Sequence, residues 1–65
     1  MQLQIETMAC DGCAQTVTTA IRSVDAAARV TIDLDDRSVS VQSVASPAAL
    51  QAALASAGYP ARVAG

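Results

Sequence analysis

Histidine is absent from this 65-residue chain, as are lysine, phenylalanine and tryptophan. The missing histidine removes the nitrogen ligand on which most structural zinc sites draw, since zinc in such sites takes four ligands, nearly always Cys and His. Missing lysine leaves Arg22, Arg29, Arg37 and Arg62 as the only cationic side chains against six acids, for a formal net charge of −2. Nucleic acids and anionic membrane surfaces both call for a concentrated basic patch, so the charge argues against either partner. Large aromatic rings are also missing, with Tyr59 alone present. The core must be built from Val, Ile, Leu and Ala, a stock suited to a thin two-layer fold. No apolar run approaches the ~20 residues of a membrane-spanning helix. The N-terminus lacks the basic start and apolar stretch of a signal peptide. A single domain over residues 1–65 is expected, cytoplasmic and not inserted in a membrane, in a compartment where thiols stay reduced.

What is present is a clear succession of periods. Gln2, Leu3, Gln4, Ile5 and Glu6 alternate polar with apolar, which predicts a strand over residues 2–7 with one buried face. Cys13, Val17, Ala20, Ile21 and Val24 then recur at helical spacing. Asp11 is the expected N-cap of that helix, which therefore starts inside the cysteine pair. Val30, Ile32 and Leu34 alternate with Arg29, Thr31 and Asp33. After a turn at Asp35-Asp36-Arg37, Val39 and Val41 alternate with Ser40 and Gln42, so the two runs read as an antiparallel hairpin. Ser46-Pro47 is an N-cap followed by proline at the first helical position. Leu50, Ala53, Leu54 and Ala57 form a second helical stripe, and Gly58 ends it. Residues 61–63 are expected as a short last strand. The order βαββαβ predicts an α+β, ferredoxin-like fold: a four-stranded antiparallel sheet with both helices on one face.

Between the first strand and first helix stands Met8-Ala9-Cys10-Asp11-Gly12-Cys13, holding both cysteines of the chain. Cys13 falls on the apolar stripe and taken alone reads as a small core residue. Cys10 falls in a connection, where chains are usually exposed. A structural zinc site needs two more ligands, which only carboxylates such as Asp11 or a second copy could supply. A thiol–disulfide oxidoreductase is the rival from another functional class, since C-x-x-C beside a βαβ pattern also marks thioredoxin-type redox sites. Here, however, Asp-Gly separates the cysteines and no basic residue stands near to lower a thiol pKa. A soft ion fits better. Cu(I) prefers sulfur and accepts low coordination numbers. Gly12 is expected to let the backbone bend between the two ligands. The helix N-terminus favours the negative charge of a bis-thiolate unit.

The Met8-Ala9-Cys10-Asp11-Gly12-Cys13 stretch resembles the M-x-C-x-x-C loop of heavy-metal-associated domains, whose fold is βαββαβ. Ala57-Gly58-Tyr59 is similar to that family's loop before the last strand. A domain of this size resembles the bacterial Atx1-like or CopZ-like copper chaperones. Several expectations follow from the resemblance. Cys10 and Cys13 are the metal ligands, and no residue is catalytic. Met8 turns inward to brace the loop, while Asp11, Gly12 and Tyr59 stand around the site, with Tyr59 limiting access to it. The cargo is Cu(I), and the partners are metal-binding domains of a copper-transporting P-type ATPase. The apo protein is a monomer, and two copies sharing copper through four cysteines form a dimer. A Hg(II) or Zn(II)/Cd(II) module of the same fold is the alternative within the family.

Overall fold

The periods of the sequence become β1 (Gln2–Gln4), α1 (Asp11–Val24), β2 (Arg29–Asp33), β3 (Ser38–Gln42), α2 (Pro47–Ser56) and β4 (Arg62–Val63) in the computed structural model, which describes residues 1–64. The strands form one sheet in the order β2-β3-β1-β4, with every neighbouring pair antiparallel. Leu3 stands opposite both Val39 and Val63, and Val30 opposite Val41, so the alternating side chains collect on one face. The two helices lie on that face and pack against each other. Leu3, Ile5, Met8, Val17, Ile21, Val39, Leu50 and Leu54 are completely buried between the layers. Gln2, Thr31, Ser40 and Gln42 face solvent on the other side of the sheet. This is the ferredoxin-like arrangement expected.

Helix α2 begins and ends where its local chemistry requires. The Ser46 hydroxyl accepts the Ala49 N–H at 3.2 Å, and Pro47 opens the helix. At the other end Gly58 takes a positive φ of 90°. The N–H groups of Gly58 and Tyr59 then donate to the carbonyls of Ala55 and Leu54, at 3.1 and 2.8 Å. This pair of reversed bonds satisfies the last carbonyls and needs a residue without a Cβ penalty at its left-handed position. It also sets the direction in which the chain leaves α2, and so places Tyr59.

Several expected boundaries shift, and the second strand ends at Asp33, with Leu34 already in the turn to β3. The first strand stops at Gln4 rather than running to residue 7: Ile5 still donates its N–H to the Arg37 carbonyl at 2.8 Å, but a turn follows at Glu6-Thr7. The Met8 N–H closes this turn on the Ile5 carbonyl at 3.2 Å. The last strand loses Ala61, whose carbonyl instead accepts the Gln51 side-chain amide at 3.0 Å. Val24, placed on the apolar stripe of α1 by its spacing, is 38% exposed, so the buried stripe ends before the helix does.

Gln4 pairs with both Ser38 and Arg62. The segment after β1, the β2–β3 turn and the segment before β4 therefore meet at one end of the sheet. The cysteines lie at that end.

Candidate metal centre

Met8 is fully buried, as expected for an apolar side chain with a core to enter. Two residues later Cys10 emerges into solvent, while Cys13 is half-buried against the core; both are free thiols. The polypeptide thus turns from core to surface and back within six residues, and a sulfur stands on each limb of the turn.

Cys10, not Asp11, is the N-cap of α1. Its backbone is extended, at φ −149° and ψ 165°, and its Sγ accepts the Cys13 N–H at 3.2 Å. Asp11 already belongs to the first helical turn, exposed, where its carboxylate favours the positive end of the helix dipole without capping it. A sulfur in the capping place has a chemical consequence. An otherwise unpaired helix N–H points at Cys10, where it stabilises negative charge on a thiolate.

Gly12 does not play the part expected of it. It lies within α1, lacks the positive φ that would demand glycine, and has nothing within 4 Å of where a Cβ would stand. The bend between the cysteines is made instead by the extended backbone of Cys10.

Cys13 has its pKa lowered to about 7. The largest cause is the Cys10 thiol, which donates to the ionised Cys13 sulfur, followed by the Tyr59 hydroxyl and the Ala9 N–H. Burial opposes them, and the Cys10 N–H adds a small favourable part. The depressed value therefore arises with no cation in attendance. The same contact pushes the Tyr59 pKa up, because the phenolic proton is held by the Cys13 sulfur. Tyr59 is half-buried against the core and reaches Cys13 with its polar tip, so its packing and its place beside the cysteines are two aspects of one position.

Among the described residues, no group of three or more His, Cys, Asp or Glu side chains is placed to hold one ion. Asp11 brings no third ligand to the pair. The donor set is two soft sulfurs with N–H groups directed at them, which suits a soft ion of low coordination number and not a closed tetrahedral zinc site.

Sequence patterning could not find the clamp at the base of this loop. Arg62 forms an ion pair with the Glu6 carboxylate, and Arg37 donates from Nη1 to the Glu6 carbonyl at 3.1 Å. Both arginines are distant in sequence, and no local motif announces them. Only the predicted pairing of the strands could have brought them near.

The chain matches the Heavy-metal-associated domain over residues 2–60. A trimeric copper form of a histidine-to-tyrosine variant of the copper chaperone Atx1 from Synechocystis PCC6803 superposes with a TM-score of 0.92 at 40% identity, over 95% of this chain and 98% of that one. A gold binding protein gives a TM-score of 0.92 at 44% identity, over 95% of each chain. Oxidized MerP from Ralstonia metallidurans CH34 gives 0.80 at 31% identity, over 94% of this chain and 89% of that one. A search of curated protein sequences finds no significant match. Among the described residues, no helix is long and apolar enough to cross a membrane. By the match over residues 2–60 and by the identity and fold it shares with these structures, the chain belongs to the heavy-metal-associated domain family.

Proposed function

We propose that this protein is a Cu(I) carrier that holds one ion between the sulfurs of Cys10 and Cys13 and passes it on by ligand exchange. The observation that carries the proposal is the position of two free thiols at the start of α1, one exposed and one half-buried, with no third ligand closing the set among the described residues. An ion held by two sulfurs on the surface is open to a third from an incoming thiolate. Once that bond forms, either original sulfur can leave, so tight binding and fast release are compatible. The Cys13 N–H on Cys10, and the Cys10 and Ala9 N–H groups facing Cys13, offset the extra negative charge of a bis-thiolate unit. A Cys13 thiol already lowered to about 7 yields its proton to the metal readily.

The intended recipient is a metal-binding domain of a copper-transporting P-type ATPase, and the exchange takes place in the cytoplasm. Resemblance to a copper chaperone over nearly the full length of both chains supports this assignment. That relative's trimeric copper form also supports a state in which copies of this chain share metal. The protein has no catalytic residue in this reading, and the thiols are ligands and not a turnover couple.

A second reading, a seat for a different soft ion such as Hg(II), is favoured by one observation: a relative of 44% identity is a gold binding protein. Both readings are separated by competition titration under reducing, anaerobic conditions with Cu(I), Hg(II) and Zn(II). The copper reading expects tight 1:1 uptake of Cu(I) in the presence of Zn(II), abolished by either Cys10→Ser or Cys13→Ser with the fold intact. Preferential retention of Hg(II) would move the assignment to the second reading. Full copper uptake by the double serine variant would refute both. Catalytic turnover of a disulfide substrate by the metal-free protein would establish the oxidoreductase alternative instead.

A further inference from the structure

Arg37 is the only non-glycine residue of the described chain with a positive φ, at 53°. It stands in the turn between β2 and β3, where glycine or asparagine takes a left-handed conformation with little strain, while in other residues the Cβ crowds the following carbonyl oxygen with no local hydrogen bond to offset it. An outlier of this kind persists where its surroundings impose it, and they are visible here. The Arg37 carbonyl accepts the Ile5 N–H at 2.8 Å, and its Nη1 donates to the Glu6 carbonyl at 3.1 Å. Next to it, the Asp36 carbonyl accepts the Gln4 side-chain amide at 2.8 Å. One turn thus grips three successive residues of the segment that leads to the cysteines.

The grip meets others further along. Glu6 is held from the opposite edge by Arg62, through its carboxylate. Met8 is anchored by burial and by its N–H bond to Ile5, and Cys10 by its carbonyl, which accepts the Ala14 N–H at 3.0 Å. Ala9 is exposed but turns its N–H toward the Cys13 sulfur, which leaves Thr7 exposed and without such an anchor among the described contacts. A glycine at position 37 would make the same turn and keep the carbonyl contact without strain. What arginine adds is the guanidinium on Glu6.

We propose that Arg37 is a positioning residue for the metal loop, its guanidinium holding the Ile5–Glu6 base in place so that Cys10 meets Cys13 at a fixed separation. It touches neither sulfur and acts through the backbone of Glu6. The inference rests on the Cu(I)-carrier reading for its functional consequence, though not for its structural one. A preorganised pair loses less freedom on taking up the ion, and the difference falls mainly on the release rate.

The test compares wild type with Arg37→Gly and Arg37→Lys in the full chain. Cu(I) release is followed by its transfer to a chromophoric chelator. Thermal unfolding of each apo protein is measured alongside, as is amide hydrogen exchange of Glu6 to Cys10 in the metal-free state. Arg37→Gly removes the strain with the guanidinium, so it is expected to unfold at an equal or higher temperature and yet release Cu(I) about three- to tenfold faster, as loss of one solvent-exposed hydrogen bond implies. Its Glu6–Cys10 amides should exchange faster. Arg37→Lys, which keeps a cationic donor on a long stem, should fall between the two on both readouts. Wild-type release and wild-type amide protection in Arg37→Gly would overturn the proposal. So would faster release that merely tracked a fall in stability. If wild type failed to bind Cu(I), the carrier reading would fall, and the amide measurement would still decide whether Arg37 orders the loop.

Discussion

At Cys13 the sulfur is surrounded by donors and by no cation, and its acidity can be dissected one donor at a time. The Cys10 thiol acts most strongly, then the Tyr59 hydroxyl. Site-resolved alkylation of the metal-free protein should therefore show Cys13 reactivity rising with a midpoint near pH 7, because the folded thiol is lowered to about 7 and only the thiolate reacts. Cys10→Ala should move the midpoint up, toward the ordinary thiol value, and Tyr59→Phe should move it in the same direction by less. A larger shift in the Tyr59 variant than in the Cys10 variant would reverse the assigned order. The proposed ligand pair is legible in C-x-x-C and the missing histidine, because those are properties of the sequence alone. Its acidity could not. The Tyr59 contribution depends on how α2 ends and where the chain then turns, and no window around Cys13 contains that information.

Among the elements, the two internal glycines of the described chain separate two kinds of local requirement. Gly12 lies inside α1 with a helical backbone and open space around it. Replacing it with alanine should stabilise the apo protein by up to about 0.5 kcal/mol, the lower end of the mid-helix difference between the two residues, because Gly12 lies in the first turn. Gly58 has equally open space but a φ of 90°, so Gly58→Ala should lose about 1–2 kcal/mol from backbone strain alone. Urea unfolding of the two variants checks both signs, and equal effects would show that neither backbone state matters as described. The same contrast explains which helix ends were legible. At α2 the cap, the proline and the terminal glycine are contiguous in the sequence and obey common preferences. At α1 the cap is a cysteine, outside those preferences, and the neighbouring Asp11 offered the more conventional choice. Strand ends failed for another reason: β1 stops at the turn that the Met8 N–H closes on the Ile5 carbonyl, and β4 starts only after Ala61, whose carbonyl accepts the Gln51 amide, and alternation carries no trace of either.

Over the whole molecule, the end opposite the cysteines is closed by a polar clasp. Asp25 follows α1, and its Oδ2 accepts the Ser43 hydroxyl at 2.6 Å while its Oδ1 accepts the Ala27 N–H at 3.0 Å. Ser43 in turn accepts the Ala45 N–H at 3.0 Å, so one carboxylate ties the exit of α1 to the segment entering α2. These bonds favour the ionised form, with Ser43 the leading cause, and hold the Asp25 pKa below its ordinary value. The sign of the linkage follows from that direction. The folded state binds the proton less readily than the unfolded state, so the clasp's contribution is complete above the unfolded carboxylate value, about pH 4, and disappears as the pH falls through the lower folded value. Asp25→Asn should then be less stable than wild type at pH 7, and the difference should narrow steadily below about pH 4. Comparison with the Asn variant removes every effect of pH that the two proteins share. Because α1 separates the clasp from the cysteine pair, the variant should still take up one Cu(I) at neutral pH. Urea midpoints of the two proteins at pH 7, 4 and 2.5 are the measurement, and a stability difference that stayed constant across that series would show that the Asp25 charge has no part in holding the two helix ends together.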